Sequence, residues 1–330
     1  MPRRLHMGLM AILALVLAAC GEGGGKKDAA IALAYDLGGK FDKSFNEAAY
    51  RGAEAFAKET GLAFAEFEPT NEAQAEQALR RFARRGSDLV IAVGVNYETA
   101  VRKVAQEFPQ VRFTVIDAAV DLPNVQSVVF REEEGSYLVG VLAAMKSQSG
   151  KIGFVGGMDI PLIRKFAAGY EAGARSVNPS ITILRNMVGT TPSAWNDPIR
   201  GGELARGQFA RGADVIFAAA GPSGHGVLQA ARDTGNFAIG VDSNQNHIQP
   251  GAVLTSMVKR VDVAVHKAML DVVAGVWMPG VESLGLAEEG VGYAMDDDNA
   301  GLVTPQMQAA AEEARDKIIA GEITVPTVLE

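Results

Sequence analysis

The chain has 330 residues, 31 Lys and Arg against 39 Asp and Glu, one Cys and an apolar fraction of 48%, which describes a globular protein of one or two domains. A formal charge of −8 supplies no broad basic field for a polyphosphate backbone, so nucleic acid is excluded as the main partner. One Cys and four scattered His exclude an intramolecular disulfide, a thiolate zinc cluster and a His pair at metal spacing, so no cofactor is expected and stability must come from burial.

At the N-terminus, Arg3 and Arg4 precede an apolar run from Met7 to Ala19, broken only by Gly8, that ends at Cys20. Thirteen helical residues span roughly 20 Å, short of the roughly 30 Å hydrocarbon core, so the run reads as an export signal rather than a permanent span. Leu17-Ala18-Ala19-Cys20 resembles the lipobox of bacterial lipoproteins, which implies cleavage before Cys20 and a lipid on its thiol; a plain signal peptide with a chance Cys is the alternative. Residues 1–19 are thus the expected signal peptide. Residues 20–28, the lipidated Cys and a Gly- and Lys-rich stretch, are the expected tether to a membrane.

Beyond the tether, apolar runs alternate with helical periodicity. Ala30–Leu37, Ala63–Glu68, Asp88–Gly94, Arg112–Ala118 and Val125–Phe130 are predicted strands, with helices at Ser44–Thr60, Glu72–Gly86, Glu98–Phe108 and Glu133–Ser147. The pattern then restarts. Lys151–Gly156, Ile181–Val188, Ala213–Ala219 and Phe237–Val241 are predicted strands, with helices at Pro161–Val177, Pro198–Gly212 and Ser223–Thr234 between them. Repeated βα units imply parallel sheets with helices on both faces, here an α/β chain of two lobes around a cleft. A strand at Val253–Lys259 and helices at Val261–Gly275 and Pro305–Gly321 are not assigned to a lobe by pattern alone.

In open α/β sheets, ligands lie beyond the carboxyl ends of strands. The first strand leads into Gly38-Gly39-Lys40-Phe41-Asp42-Lys43-Ser44-Phe45-Asn46. The fourth ends at Asp117, and those at Phe237 and Val253 end at Asp242 and Lys259. Ser44 with Glu47 has the spacing of a helix cap, and either aspartate is an ordinary loop carboxylate if taken singly. Acids at the ends of two strands with a Lys at the end of a third point instead to a binding site. Gly221-Pro-Ser-Gly224-His-Gly226 lacks the Lys-Ser/Thr ending of a phosphate loop. Asp296-Asp297-Asp298 lacks the ligand spacing of a calcium loop, His225 falls in a cleft-side turn with or without a ligand role, and Arg80–Arg85 has the period of a solvated face.

Asp42-Lys43-Ser44-Phe45-Asn46, Gly135-Ser-Tyr-Leu-Val-Gly140, Gly153-Phe-Val-Gly-Gly157, Ala220-Gly-Pro-Ser-Gly224, Ile239-Gly-Val-Asp242 and Thr255-Ser-Met-Val-Lys259 together resemble the basic membrane protein family of lipoproteins. The match runs in one order from about Ala30 to Val265. It implies a type I periplasmic-binding-protein fold, two doubly wound lobes joined by three crossings near Phe130, Lys259 and Leu286. Residues 29–130 with 259–286 then form the N-terminal lobe, and 131–258 with 287–330 the C-terminal lobe. The resemblance further implies an extracytoplasmic, lipid-anchored, monomeric receptor that delivers a purine nucleoside such as adenosine, guanosine or inosine to the permease subunits of an ABC transporter. Its base would stack between Phe41 and Trp195, the latter standing where the family usually has Phe.

The remaining roles follow from chemistry. Stacking a base on an aromatic ring is worth about 1–3 kcal/mol. Asp42, Asn46 and Asp117 have the groups to exchange hydrogen bonds with a base edge, while Asp242 accepting from ribose hydroxyls and Lys259 donating to them make a complete pair. Gly221 permits close approach of backbone to a ligand. A same-fold receptor for a nucleobase or a sugar is the alternative. A nucleoside-processing enzyme would want an activated nucleophile or a metal cluster, and none is visible.

Overall fold

The computed structural model describes residues 30–71 and 73–329; the expected signal peptide, Cys20 and the tether lie outside the described residues. The first sheet contains β1 (Ile31–Ala34), β2 (Phe64–Phe67), β3 (Leu89–Val93), β4 (Arg112–Ile116), β5 (Val125–Phe130) and β11 (Gly280–Leu284), in the order β11-β5-β4-β3-β1-β2. The second contains β6 (Lys151–Met158), β7 (Thr182–Gly189), β8 (Val215–Ala219), β9 (Phe237–Asp242), β10 (Val253–Lys259) and β12 (Val291–Tyr293), in the order β12-β10-β9-β8-β6-β7. Every pairing is parallel except β10 with β12. This is the two-lobed α/β architecture expected from the repeated pattern, with β11 and β12 as additions.

Central strands read as unbroken apolar runs because helices cover both faces. In β1, Ile31 and Leu33 pack with α1 (Phe45–Thr60) and α8 (Val261–Ala274), while Ala32 and Ala34 pack with α2 (Ala73–Arg84) and α3 (Glu98–Glu107). The second sheet is likewise covered by α6 (Pro198–Ala210) and α7 (Gly224–Thr234) on one face. On the other lie α4 (Glu132–Lys146), α5 (Pro161–Val177) and α9 (Pro305–Ile319). α4 buries most of its circumference because small residues bring its backbone against α5: a Cβ at Gly169 or Gly173 would come within 2.1 or 2.0 Å of a carbonyl oxygen of α4.

The chain passes between sheets three times, from β5 into α4, from β10 into α8, and from β11 to β12. In each sheet the strand order reverses between the first strand and the third, β1/β3 and β6/β8. That reversal opens a crevice at the carboxyl ends of the strands. The two crevices face each other.

Candidate binding site

A cleft enclosing about 580 Å³ of space, the open solvent at its mouth included, lies where the crevices meet. The first lobe lines it with Asp36, Asp42, Phe45, Asn46, Gly94 and Asp117, the second with Ile163, Phe166, Trp195, Gly221 and Asp242, and Lys259 enters it from the crossing at the end of β10. Seven of the eight cleft residues singled out from sequence therefore border one space. Phe41 does not: it is 69% exposed, packed edge-on against Tyr50 with the Lys40 ammonium 5.2 Å from its ring. Phe45, four residues on, is the aromatic that the first lobe turns toward the cavity.

The reason lies in the β1–α1 turn. Asp42 accepts from the backbone N–H groups of Ser44, Asn46 and Glu47 at 2.8, 3.0 and 3.0 Å. This carboxylate, rather than the Ser44 hydroxyl, caps α1. Burial pushes it up to about 6 even though those N–H groups favour its ionised form. Asn46 is equally committed, accepting from Asp36 N and donating to Asp36 O and Gly39 O. Asp42 and Asn46, expected to read a base edge, border the cavity and also build the turn that sets the phase of α1, of which Phe45 is the first residue.

Asp117 and Asp242 follow β4 and end β9 with φ of +68° and +64°. For residues other than glycine this left-handed region is sparsely populated, Asp being among the more tolerant, and such strain concentrates at binding sites. Lys259 is 2% exposed; its Nζ bonds Asp117 Oδ2 at 2.5 Å, lies 3.2 Å from Glu132 Oε1, and is ringed by Phe45, Phe130 and Phe166 at 5.0–5.6 Å from their centroids. Burial alone would lower the Lys259 pKa, but Asp117, Glu132 and Asp242 override it and raise it, so the ammonium stays charged. Burial raises Asp242 in turn, opposed by Lys259 and by Ser44, whose hydroxyl donates to Oδ2 at 2.7 Å. Asp117 Oδ1 is a buried acceptor with no hydrogen-bond partner.

Trp195 follows β7 on a 3₁₀ turn (Pro192–Asn196) fixed by Ser223, whose hydroxyl donates to Ala194 O and accepts from Asp197 N. Its ring lies over β6 at Gly157, where a Cβ would stand 2.1 Å from the indole. Its Nε1 has no hydrogen-bond partner. Gly221 adopts φ +54°, the left-handed turn that brings Ala220 to Pro222 along the cavity wall. His225 is not among the lining residues; burial and then Lys43 lower its pKa. Asp296 accepts from the Asn244 and Asn246 amides, and no acidic or His cluster of metal-binding form occurs among the described residues.

Sequence reasoning missed four lining or supporting residues. Asp36 continues the apolar run of β1 and accepts from Leu37 N and Asn96. Phe45 and Phe166 lie within the predicted helices at Ser44–Thr60 and Pro161–Val177 and were not given a site role. Glu132 falls just before the predicted helix at Glu133–Ser147 and was not singled out. The available signal for Asp36 was an acid at the end of an apolar run, which the predicted strand Ala30–Leu37 absorbed.

The family model for "Bmp: ABC transporter substrate-binding protein PnrA-like" matches residues 31–328. An uncharacterized lipoprotein of Pyrococcus horikoshii is 34% identical over 86% of this chain and 74% of its own length. The ABC transporter nucleoside-binding protein BmpA of Lactococcus lactis is 29% identical over 92% and 90%. Among solved structures, an ABC transporter solute-binding protein from Aeropyrum pernix superposes with a TM-score of 0.83 at 30% identity, covering 92% of this chain and 94% of that one.

Proposed function

The chain belongs to the Bmp family of PnrA-like ABC transporter substrate-binding proteins, and from that premise we propose that it captures a purine nucleoside between its lobes and hands it to a permease. The observation that carries this reading is one cavity that combines aromatic side chains from both lobes, Phe45 and Trp195, with the buried set Asp117, Asp242 and Lys259. A purine offers a π face to the rings, worth about 1–3 kcal/mol per stacking contact. A ribose offers vicinal hydroxyls that donate to Asp242 and accept from Lys259. The unpartnered Trp195 Nε1 and Asp117 Oδ1 supply a further donor and acceptor. Phe45 replaces Phe41 in the stacking role. A relative bearing the name of a nucleoside-binding protein supports the ligand class.

In this reading the body is held outside the membrane by a lipid on Cys20, as relatives named lipoproteins suggest. Its two lobes, residues 29–130 with 259–286 and 131–258 with 287–330, rotate about the three crossings to admit and enclose the ligand. It acts as a binding protein rather than an enzyme. Native mass spectrometry of the protein challenged with adenosine, guanosine, inosine, uridine, adenine and ribose tests the ligand. Mass gains with purine nucleosides and none with ribose support the reading. Binding of adenine or ribose alone would replace the nucleoside by a nucleobase or a sugar.

A further inference from the structure

Glu132 is the first residue of α4, immediately beyond the crossing from the first sheet to the second. It is fully buried, and neither carboxylate oxygen has a hydrogen-bond partner. Two ammonium groups flank it instead, Lys259 Nζ at 3.2 Å and Lys165 Nζ at 3.5 Å. Lys259, at the end of β10 in the second sheet, then bonds Asp117, which follows β4 of the first sheet. A line of alternating charge, Lys165–Glu132–Lys259–Asp117, thus runs from the half-buried face of α5 across the crossing to the cavity wall.

We propose that Glu132 is a positioning residue for the ligand site: it touches no ligand, but its carboxylate holds the Lys259 ammonium in place, so that its ionisation makes ligand affinity depend on pH. The inference rests on reading Lys259 as a ligand donor. A lysine is a point charge on a flexible four-carbon stem, and one carboxylate does not fix its direction. Asp117 draws the ammonium toward the first lobe and Glu132 toward the second; both together hold it at the junction.

Three carboxylates, Asp117, Glu132 and Asp242, surround this one ammonium, and a buried charge without full compensation is costly. Burial pushes Glu132 up to about 7; Lys259 and Lys165 oppose the rise, and Asp117 adds to it. Those are the charged groups facing it from β10, α5 and the end of β4. On its own segment Arg131 and Glu134 pair with each other, and Glu133 is the adjacent acid. Above its pKa, Glu132 is ionised and holds Lys259; below it, the proton removes that hold. Affinity therefore rises with pH through neutrality.

Calorimetry with inosine on the full chain, at about pH 6 and about pH 8.5, tests this for the wild type, Glu132→Gln and Lys165→Met. The wild type should bind about tenfold more tightly at the higher pH, and Glu132→Gln should lose that gain while matching the wild type at the lower. Lys165→Met, which removes a cation from the protein's outer face, should shift the wild-type midpoint upward. A role confined to packing moves none of these profiles. A wild-type profile flat through neutrality, or one that Glu132→Gln leaves unchanged, overturns the inference. If Glu132→Gln fails to fold, the Lys165→Met midpoint decides: an upward shift supports the inference and an unmoved midpoint overturns it. Absence of inosine binding in every chain overturns the nucleoside reading and this inference together, whereas intact binding with an unchanged profile overturns this one alone.

Discussion

Asp242→Asn probes the ribose assignment with little disturbance to the fold. Asp242 sits at φ +64°, where Ala adds a backbone cost of about 1–2 kcal/mol but Asn is tolerated. The Asn amide oxygen can still accept from the Ser44 hydroxyl, which now donates to Oδ2 at 2.7 Å, so the inter-lobe contact survives. What is lost is the negative charge, one acceptor and one of the three carboxylates that keep Lys259 charged. Hydrogen bonds with a charged partner contribute about 1.5–3 kcal/mol, which converts to roughly 10- to 150-fold in Kd. Calorimetry with inosine reads the loss, and thermal unfolding checks that the fold is intact. An analogue lacking both ribose hydroxyls should bind wild type and variant with similar affinity, because the lost bonds are those to the hydroxyls. An inosine Kd within about twofold of wild type, with unchanged unfolding, would refute the assignment.

Phe45→Ala should weaken nucleoside binding by about 1–3 kcal/mol, whereas Phe41→Ala, at a 69% exposed position outside the cavity, should leave Kd nearly unchanged; parallel titrations decide which aromatic stacks. Trp277 is buried in the first lobe with its Nε1 donating to Thr114 Oγ1 at 3.1 Å, so Trp277→Phe should leave a ligand-dependent emission change that arises from Trp195 alone. No change in that variant while calorimetry shows nucleoside bound would remove Trp195 from the ligand contact. Gly157→Ala places a methyl 2.1 Å from the Trp195 ring, forces the indole off β6, and should reduce affinity about tenfold or more while the core strand stays folded; wild-type affinity would mean that the ring's position does not matter.

The doubly wound plan was legible because it is written in long apolar runs. Strands such as β3, buried in all five residues, have no other use for consecutive Leu-Val-Ile-Ala-Val. β11 and β12 escaped notice for the opposite reason: β11 is an edge strand exposed along much of its length, and β12 has three residues, so neither carries a run that distinguishes it from a loop. At the site, strand-end acids were visible because carboxylates are costly where an apolar run stops. Which of Phe41 and Phe45 faces the cavity was not visible. That choice depends on the phase of α1, which Asp42 sets through three backbone hydrogen bonds that no periodicity encodes. Glu132 carried no signal of its own, since it is one of three consecutive acids where a helix begins and the helix dipole favours acids there anyway.

Ser44 links the site to the proposed closing of the lobes. Its hydroxyl donates to Asp242, and its carbonyl accepts from Ser243 Oγ at 2.7 Å. Beside it Gln245 Nε2 donates to Lys43 O at 2.9 Å and Arg51 donates to Ser243 Oγ at 2.9 Å. Each of these four bonds spans the lobes, and at about 0.5–1.5 kcal/mol net apiece they favour contact by about 2–6 kcal/mol before the entropy of holding the lobes together is subtracted. An open–closed gap of a few kcal/mol is the range in which a ligand shifts the population without having to supply the whole closing energy. Because Asp242 belongs both to this clasp and to the proposed ribose contact, a ligand hydroxyl and the Ser44 hydroxyl meet on one carboxylate. Binding and closure are then one event at that residue, which gives its strained backbone a physical reason: the turn aims a single side chain at both partners.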